Sequence, residues 1–517
     1  MEVANATIDG LGAELAAGRT TAAALVKAYC ARIDALDAAG VRLNAVRTLN
    51  PEAAAIAAAS DRREAARRPL EGIPVLVKDN SATADGQPTT AGALALEGAG
   101  AARDATVVAT LREAGAVLLG KTNLTEFANI VAVGMPAGYS SLGGQVLNPY
   151  APEVDERGTP YVPPGGSSAG SGVAVAAGLA AAAIGTETSG SLLSPANMNG
   201  VVTVKPTVGL ISRAGIIPIA HSQDTAGPIT RTVRDAALLL GVLAGPDPLD
   251  DATLHAPSAP DYLAALDRDG LRGARIGVPS DPADPGNDVY YGPLVEAARA
   301  VMERAIGALA DCGATIVRAS MPTAGWIPAP ASEYPVLNRN PESPLRHQVA
   351  RISTVFVHEL KHDMNRYLRD WARDTEMRCF ADLVAFNAAH ADRALRFGQD
   401  IFLAAASTRG DLAEPEYLAA RRGDLSHART RGMDAYMERH RLDAVLFPAA
   451  AGCAIAAKAG YPSVLVPAGF ISGVQGRETA EYPLGATFAG RAWSEPTLLR
   501  LAYAFEQATQ ARRAPAL

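Results

Sequence analysis

The alternation of short apolar runs with longer helical patterns is the feature that most constrains how this chain folds. The runs are rich in Val, Ile and Leu and are bounded by Gly, Pro or Asp, at 73–77, 116–119, 201–204, 275–278, 314–317, 444–447 and 463–466. Helical patterns lie between several of them, as at 105–113 and 289–310. Strands that alternate with helices predict an α/β fold, and continuously apolar strands predict a largely buried central sheet that helices cover on both faces.

Two other segments carry structural expectations. Residues 341–441 contain few strand-like runs and place Arg, Glu, His and Leu at helical spacing, so we predict a helical excursion that forms a candidate lid. The apolar stretch 173–184, interrupted by Gly178, predicts a buried helix. This stretch is shorter than the roughly 20 residues that span a bilayer, so we expect no membrane role.

Composition and charge restrict the partners and the compartment. With 48% hydrophobic and 20% charged residues, the chain can bury a large core. The net charge of −7 is mild and no run of like charges marks a nucleic-acid-binding arm, so we expect no nucleic acid partner. The four cysteines form no C-x-x-C pair, which argues against a zinc knuckle or a redox motif. Because the N-terminus lacks the basic and apolar regions of a secretory signal, we expect a cytoplasmic protein.

The densest cluster of Gly and Ser lies at 165–172, and a second cluster follows at 185–191. Glycines allow tight turns whose backbone N–H groups can face a developing negative charge. Ser167 in the first cluster and Ser191 in the second could therefore approach one point. A serine hydroxyl becomes a nucleophile only beside a base that takes its proton, so this arrangement requires a base from elsewhere in the chain.

Lys78 is the candidate base, because it ends the apolar run of the segment 72–80. Burial at the end of a strand disfavours the ammonium form and lowers the pKa of a lysine toward a value useful for proton transfer. The structural alternative is that Lys78 forms an ion pair with Asp79 or another carboxylate.

These segments together resemble the amidase signature family of hydrolases. The resemblance extends over nearly the whole chain, in ordered blocks at 72–80, 120–128, 165–191, 204–210, 222–228, 461–467 and 493–496. It implies a mixed central sheet within a single domain over 1–517, in which the excursion 341–441 shapes the substrate pocket. It also implies hydrolysis of linear amide C–N bonds with neither a metal nor an organic cofactor.

The resemblance assigns a role to each candidate residue. By this resemblance Lys78 is the family's base and Ser191 is its nucleophile. Ser167 is the family's bridging serine, which follows a cis peptide bond. The nucleophile forms an acyl-enzyme. The oxyanion donors fall on the backbone N–H groups of Thr188, Ser189, Gly190 and Ser191.

Within the family the chain is most similar to bacterial peptide amidases, chiefly at 186–188 and 215–219, and those enzymes release ammonia from peptide C-terminal amides. This chain departs from them at 189–193, where it reads Ser-Gly-Ser-Leu-Leu and peptide amidases carry Asp-Gly-Ser. The alternatives are an amidase or esterase for aryl or alkyl amides, esters or carbamates, and an amidotransferase A-type subunit. We expect a small-molecule or peptide amide as the substrate, no membrane partner, and a monomer or homodimer.

Two short motifs offer rival chemistry. The segment 166–170 satisfies G-x-S-x-G, the nucleophile elbow, with Ser168 at its centre. That elbow needs a preceding strand, and the three prolines within 160–164 argue against one. The segment 358–362 reads H-E-x-x-H, which can bind zinc on a helix, although no convincing third ligand follows.

A Ser-His-Asp triad is a further alternative. His221 and Asp224 could join Ser191 in such a triad, because triads are recognised by geometry rather than by chain order. The lysine-based arrangement accounts for the glycines and the lysine strand together. We therefore expect Glu187 and Asp224 to be structural carboxylates.

Overall fold

A mixed sheet of 11 strands forms the centre of the molecule. The computed structural model describes residues 2–64, 66–324, 332–474 and 477–517. Its strands are β1 Val46–Leu49, β2 Pro74–Lys78, β3 Gly100–Ala101, β4 Val117–Thr122, β5 Tyr139–Ser140, β6 Gly144–Gln145, β7 Ala182–Glu187, β8 Val202–Lys205, β9 Thr225–Thr230, β10 Arg275–Val278, β11 Thr315–Arg318, β12 Glu333–Leu337, β13 Val349–Ser353, β14 Ala372–Arg373, β15 Ala444–Pro448, β16 Ser463–Val474 and β17 Arg477–Ala489.

The helices are distributed along the whole chain. They are α1 Ile8–Ala16, α2 Ala22–Arg32, α3 Ala53–Asp61, α4 Thr106–Glu113, α5 Ala169–Ala176, α6 Leu193–Met198, α7 Val233–Leu243, α8 Glu296–Asp311, α9 Thr354–Asp370, α10 Phe380–Ala389, α11 Ala391–Ala394, α12 Asp400–Ala406, α13 Pro415–Asp424, α14 Ala435–His440, α15 Cys453–Ala459 and α16 Glu495–Thr509. Two π-helical segments extend helices, at Ile33–Ala38 and Leu425–Asp434. No helix in the described part of the chain has the length and apolar character needed to cross a membrane.

The order of strands in the central sheet is β1-β4-β2-β7-β9-β8-β16-β17-β15-β10-β11. Strand β2 runs parallel to both of its neighbours, β4 and β7, whereas β7 runs antiparallel to β9. Helices α5 and α6 contact each other and the sheet, and α7, α8 and α16 form a second packed group against it. The predicted α/β fold with a mixed, buried sheet is confirmed.

The apolar runs predict the strands well. Each of them falls in a strand of the central sheet, namely β2, β4, β8, β10, β11, β15 and β16. The helix predicted at 105–113 corresponds to α4, but the one predicted at 289–310 begins later, at Glu296. Pro293 disfavours helical backbone at Gly292, the residue before it, so a helix does not run through the start of the predicted range.

The predicted helix at 173–184 is wrong. Helix α5 ends at Ala176, and β7 begins at Ala182. Gly178 between them has a φ of 69°, and a Cβ at this position would lie 2.4 Å from the carbonyl oxygen of Ala4. Because the chain turns at this glycine and then enters the sheet, the segment that carries Ser191 follows a buried strand and not a helix.

Helices α9 to α14 occupy most of 341–441, together with β13, which pairs with β12, and the short strand β14. The predicted helical character of this excursion agrees with these elements. The assignment of 1–517 to a single domain stays a prediction.

Candidate active site

Lys78 is the last residue of β2, and its side chain is fully buried. Its Nζ donates hydrogen bonds to Ser167 Oγ at 2.8 Å and to Ser168 Oγ at 3.1 Å. A third bond, of 2.9 Å, reaches Thr186 Oγ1 in the neighbouring strand β7. The sheet thus brings the lysine amine into a shell of hydroxyl groups.

Burial lowers the pKa of Lys78 to about 7, although the charges of Asp224 and Glu187 act in the opposite direction. The amine is therefore readily neutral near pH 7 and can accept a proton. The alternative ion pair with Asp79 is not formed. Asp79 instead accepts hydrogen bonds from the backbone N–H and the hydroxyl of Thr90, and it lies 4.0 Å from Lys121 Nζ.

The loop after β7 carries Ser191, and the carboxylate of Glu187 fixes the chain just beyond it. Glu187 Oε2 accepts the backbone N–H groups of Leu192 at 2.7 Å and Leu193 at 3.1 Å. Gly190 has a φ of 90°, a conformation that favours glycine and turns the chain tightly before Ser191. Glu187 therefore orients the nucleophile candidate through the backbone.

Ser167 and Ser191 lie on adjacent segments. Ser167 is fully buried and follows a cis peptide bond with Gly166. The N–H of Ser168 donates to the carbonyl oxygen of Ser191 at 3.3 Å, which joins the two segments. Among the described residues no hydrogen bond links the hydroxyls of Ser167 and Ser191. The structure thus brings Lys78 and Ser167 into direct contact and places the backbone of Ser191 against the segment that carries Ser167.

The predicted oxyanion donors are four consecutive backbone N–H groups, those of Thr188, Ser189, Gly190 and Ser191. Within the described ranges none of the four donates to an acceptor of the protein. Unpaired N–H groups at one turn are suited to stabilise a negative oxygen that forms there.

Asp224 fixes the other side of this loop. Its Oδ1 accepts the Thr188 hydroxyl at 2.5 Å, and its Oδ2 accepts the N–H groups of Ile219 and Ala220, each at 2.9 Å. Burial raises the pKa of Asp224 to about 6. Asp224 is thus a loop-positioning carboxylate whose charge also acts on Lys78.

Two cavities flank the nucleophile loop. The first, of about 800 Å³, is lined by Thr186, Thr188 and the apolar segment 216–219. The second, of about 840 Å³, is lined by Ser189 together with Lys458. Helix α9 contributes side chains to both cavities. The excursion 341–441 is therefore placed to contact molecules on either side of the loop.

The nucleophile-elbow alternative at Ser168 is not supported. Ser168 Oγ donates to the carbonyl oxygen of Thr186 at 3.0 Å and accepts the N–H of Thr186 at 3.2 Å, in addition to its bond with Lys78. Its hydroxyl is fully buried. Ser168 therefore ties the first Gly/Ser cluster to β7.

The zinc pattern at 358–362 does not gather into a metal site, because among the described residues neither His358 nor His362 belongs to a group of three or more neighbouring metal ligands. His358 Nδ1 lies 3.1 Å from Glu414 Oε2, and His362 Nδ1 lies 3.0 Å from the carbonyl oxygen of Gly410. Glu359 instead accepts the Tyr417 hydroxyl at 2.8 Å. Zinc binding would require both imidazoles to face one ion.

His221 also takes no part in a triad with Asp224. Its Nδ1 lies 2.9 Å from Asp363 Oδ2, and the same carboxylate oxygen accepts the His221 backbone N–H at 2.8 Å. Potential ligand atoms of His221, Glu359 and Asp363 do lie within 4.8 Å of one another. However, Glu359 Oε2 already accepts the N–H of Ser222, so this cluster connects α9 to the 213–224 segment.

Thr186 and Asn80 are site residues that were not predicted. Thr186 Oγ1 accepts hydrogen bonds from both Lys78 Nζ and Asn80 Nδ2, the latter at 3.0 Å. Both residues lie inside blocks that resemble the family, but a lone threonine or asparagine carries no spacing signal. Their role becomes visible only once β2 and β7 are paired.

Comparison with known proteins shows the family to which this chain is related. The family model described as Amidase matches residues 24–499. The solved peptide amidase from Stenotrophomonas maltophilia is 41% identical, with a TM-score of 0.85 and coverage of 99% of each chain. A probable amidase from Arabidopsis thaliana is 35% identical, covering 99% of this chain and 92% of its own length. The A-type subunit of the glutamyl-tRNA(Gln) amidotransferase from Geobacter metallireducens is also 35% identical, over 98% of both chains.

Proposed function

The chain belongs to the amidase family and hydrolyses amide C–N bonds, and we propose that it removes the C-terminal amide of peptides as ammonia through a triad of Lys78, Ser167 and Ser191. The observation that carries the proposal is the 2.8 Å contact between Lys78 Nζ and Ser167 Oγ in a fully buried position. The similarity to a peptide amidase along 99% of the chain supports the substrate class.

The reaction begins with proton transfer. Neutral Lys78 accepts the proton of Ser167, and Ser167 accepts the proton of Ser191 as the Ser191 oxygen attacks the amide carbonyl carbon. The pKa of Lys78, lowered to about 7 by burial, supports this direction of transfer. For this step the Ser191 hydroxyl turns toward Ser167 on the adjacent segment.

The negative oxygen of the tetrahedral intermediate then accepts hydrogen bonds from the backbone N–H groups of 188–191. The carbon–nitrogen bond breaks, the proton returns through Ser167 to the nitrogen, and ammonia leaves. Water then attacks the acyl-enzyme along the same proton path and releases the carboxylic acid. The unpaired N–H groups and the loop contacts of Glu187 and Asp224 support this role.

We also propose that the excursion 341–441 shapes the substrate pocket. Phe356, Tyr367 and Trp371 lie on or beside α9 and line the cavities on the two sides of the nucleophile loop. Their rings offer apolar surface to the side chains of a peptide. A monomer or homodimer in the cytoplasm, with no nucleic acid or membrane partner, stays a prediction.

Two alternatives keep the same fold. Aryl or alkyl amides, esters or carbamates would enter the same site, and an amidotransferase A-type subunit is favoured by the 35% identity with the Geobacter protein. The last alternative predicts dependence on partner chains and no release of free ammonia from simple amides.

A screen of ammonia release separates these possibilities. Peptide C-terminal amides, simple aryl amides and anilides are incubated with the wild-type chain and with the Ser191→Ala variant. We expect ammonia from peptide amides with the wild-type chain alone. Equal signals from the two proteins would refute the hydrolase mechanism, and activity limited to anilides would refute the peptide-amide substrate.

A further inference from the structure

The hairpin of β12 and β13 carries an exposed face that the proposed mechanism does not use. Side chains alternate between the two faces of a strand, and residues directly opposite each other in an antiparallel pair share a face. Three cross-strand pairs therefore lie on one side, which we call the outer face of the hairpin: Glu333 with Ser353, Pro335 with Arg351, and Leu337 with Val349.

The opposite face of the hairpin packs against the protein. Tyr334 and Ile352 contact the core, Val336 is buried, and β12 contacts α9 and α12. On the outer face, by contrast, Leu337 is 43% exposed and Val349 is 59% exposed. A half-buried antiparallel pair normally places polar side chains on its solvent face. An apolar pair in that position indicates a surface that binds another molecule.

The turn at the tip of the hairpin is held in one conformation by Asn338, whose side chain is buried. Its Nδ2 donates to Ser343 Oγ at 3.0 Å and to the carbonyl oxygen of Leu345 at 3.1 Å, and its own carbonyl oxygen accepts the N–H of His347 at 2.8 Å. Leu345 is thereby fixed as a third exposed apolar residue. A surface that is already ordered loses little conformational entropy when it binds a partner.

The outer face continues into the second cavity beside the nucleophile loop. Glu333 and Ser353, the pair at the base of this face, line the cavity of about 840 Å³ together with Ser189 of the loop. From Glu333 to Leu337 the strand extends about 13 Å, at roughly 3.3 Å per residue. An extended chain that leaves this cavity can therefore follow the outer face for about four residues.

The charge of the outer face becomes positive toward the tip. Arg351 lies in the middle of the face and Arg346 lies in the turn, and both are exposed. Neither arginine forms an ion pair with a carboxylate in the described ranges, because Glu342 of the same turn is paired with Arg396. The carboxylate of Glu333 lies at the cavity end. The whole chain carries a net charge of −7, so this basic surface is a local feature that attracts acidic groups.

We propose that the outer face of the hairpin binds the peptide chain upstream of the reacting amide and favours peptides with apolar and acidic side chains there. The inference rests on the proposed peptide-amide substrate and adds a sequence preference to it. Ammonia is too small to need a cavity of this size, so the second cavity is available to the acyl part of the substrate. A chain that crosses it meets Leu337 and Val349 with its apolar side chains, and Arg346 and Arg351 with its carboxylates.

Peptide binding to the full-length Ser191→Ala protein tests the proposal without turnover. Three fluorescent peptide amides share one C-terminal dipeptide. The first is the dipeptide amide itself, and the other two have about eight residues, enough to cross the cavity and follow the hairpin, with Leu alternating with Glu or with Lys upstream. Fluorescence anisotropy measures Kd. We expect the Leu/Glu peptide to bind on the order of tenfold more tightly than the Leu/Lys peptide, with an advantage that declines as potassium chloride is added.

Two variants and two matched controls make the test specific to the hairpin. Leu337→Ser and Arg351→Glu should each weaken binding of the Leu/Glu peptide about threefold to tenfold relative to the dipeptide amide, because one removes apolar contact and the other reverses a surface charge. The controls are Leu418→Ser on α13 and Lys27→Glu on α2, two exposed positions on other helices. They should leave the ratio of the two affinities at its starting value.

Equal affinities for the Leu/Glu and Leu/Lys peptides would overturn the proposal, as would an equal loss in the control variants or the absence of binding by all three peptides. Cosedimentation with phosphatidylglycerol vesicles tests the other surface that apolar and basic groups fit. Vesicle binding that Leu337→Ser abolishes, with no change in the peptide ratio, would assign the outer face to a membrane and overturn peptide docking.

Ammonia release from the same peptides by the wild-type chain is measured separately. The expected binding preference without ammonia release would refute the proposed hydrolysis and support the docking surface. Ammonia release from both long peptides with equal kcat/KM, together with equal affinities, would refute the docking surface and leave the hydrolysis intact. The two proposals therefore fail in distinguishable ways.

Discussion

Replacement of Lys78 by Met tests the lowered pKa on which the mechanism depends. Burial lowers the pKa of Lys78 from 10.5 to about 7 in the folded chain. Between these two values the unfolded chain binds one more proton than the folded chain, so the free energy of unfolding rises with pH by about 1.4 kcal/mol per pH unit. Over the whole interval this amounts to roughly 5 kcal/mol. The burial of Lys78 therefore destabilises the folded chain by the full amount below pH 7, and this destabilisation is lost as the pH approaches 10.5.

The Lys78→Met variant keeps the length of the side chain and removes the titrating group. It also leaves the Ser167 hydroxyl without the lysine, which costs about 1 kcal/mol at every pH. Denaturant unfolding of both proteins between about pH 6 and about pH 10 therefore isolates the titration, because all other groups cancel in the difference. We expect the variant to be the more stable protein at the acidic end and to lose that advantage as the pH rises.

The matched control is Lys27→Met, because Lys27 is exposed on α2. Its stability should follow that of the wild type at every pH. A stability difference between wild type and Lys78→Met that stays constant with pH would refute a neutral Lys78 near pH 7. The same variant should lose about two to four orders of magnitude in kcat, the usual contribution of a general base.

Four further substitutions test the rest of the site. Ser191→Ala should abolish turnover and covalent labelling by a fluorophosphonate, whereas the Ser168→Ala variant should still be labelled at Ser191. If mass spectrometry found the label on Ser168, the assignment of Ser191 as the nucleophile would be contradicted. Asp224→Asn removes a negative charge that raises the pKa of Lys78. The acidic limb of the pH profile of kcat/KM should therefore move to lower pH. A move to higher pH would contradict this electrostatic role of Asp224. Gly190 has a φ of 90°, and Gly190→Ala places a Cβ there at 3.2 Å from the sulfur of Cys453. By displacing the loop N–H groups, this substitution should lower kcat on the order of a hundredfold without unfolding the chain. An unchanged kcat would show that these N–H groups do not stabilise the oxyanion.

The strands of the sheet could be predicted from the sequence because their signal is local. The run before Lys78 is apolar at every position, and β2 is buried throughout. The same rule failed at 173–184, since an alanine-rich apolar run suits a buried helix and a buried strand equally well. Strand β7 is instead fixed by its pairing with β2 and β9, whose residues lie far away in the chain.

The partners of the polar groups could not be predicted for the same reason. His221 and Asp224 are near neighbours in sequence, which made a triad conceivable. In the structure the partner of His221 is Asp363, 142 residues away on α9. Only the packing of α9 against the 213–224 segment selects that carboxylate, and no local pattern encodes it.

Three buried lysines show why sequence alone suggests a base but does not identify it. Lys78, Lys121 and Lys205 all lie in or at the end of central strands, and all are fully buried. Burial lowers the pKa of Lys121 and of Lys205 to about 8. However, the Asp79 carboxylate lies 4.0 Å from Lys121 Nζ and favours the charged form of that lysine. Lys205 Nζ donates to the carbonyl oxygen of Pro206, and a carbonyl oxygen carries no proton that it could transfer. Only Lys78, within the described chain, combines the lower pKa with a serine hydroxyl that can pass on a proton. Burial therefore makes a lysine available as a base, and the contact with Ser167 makes this one useful.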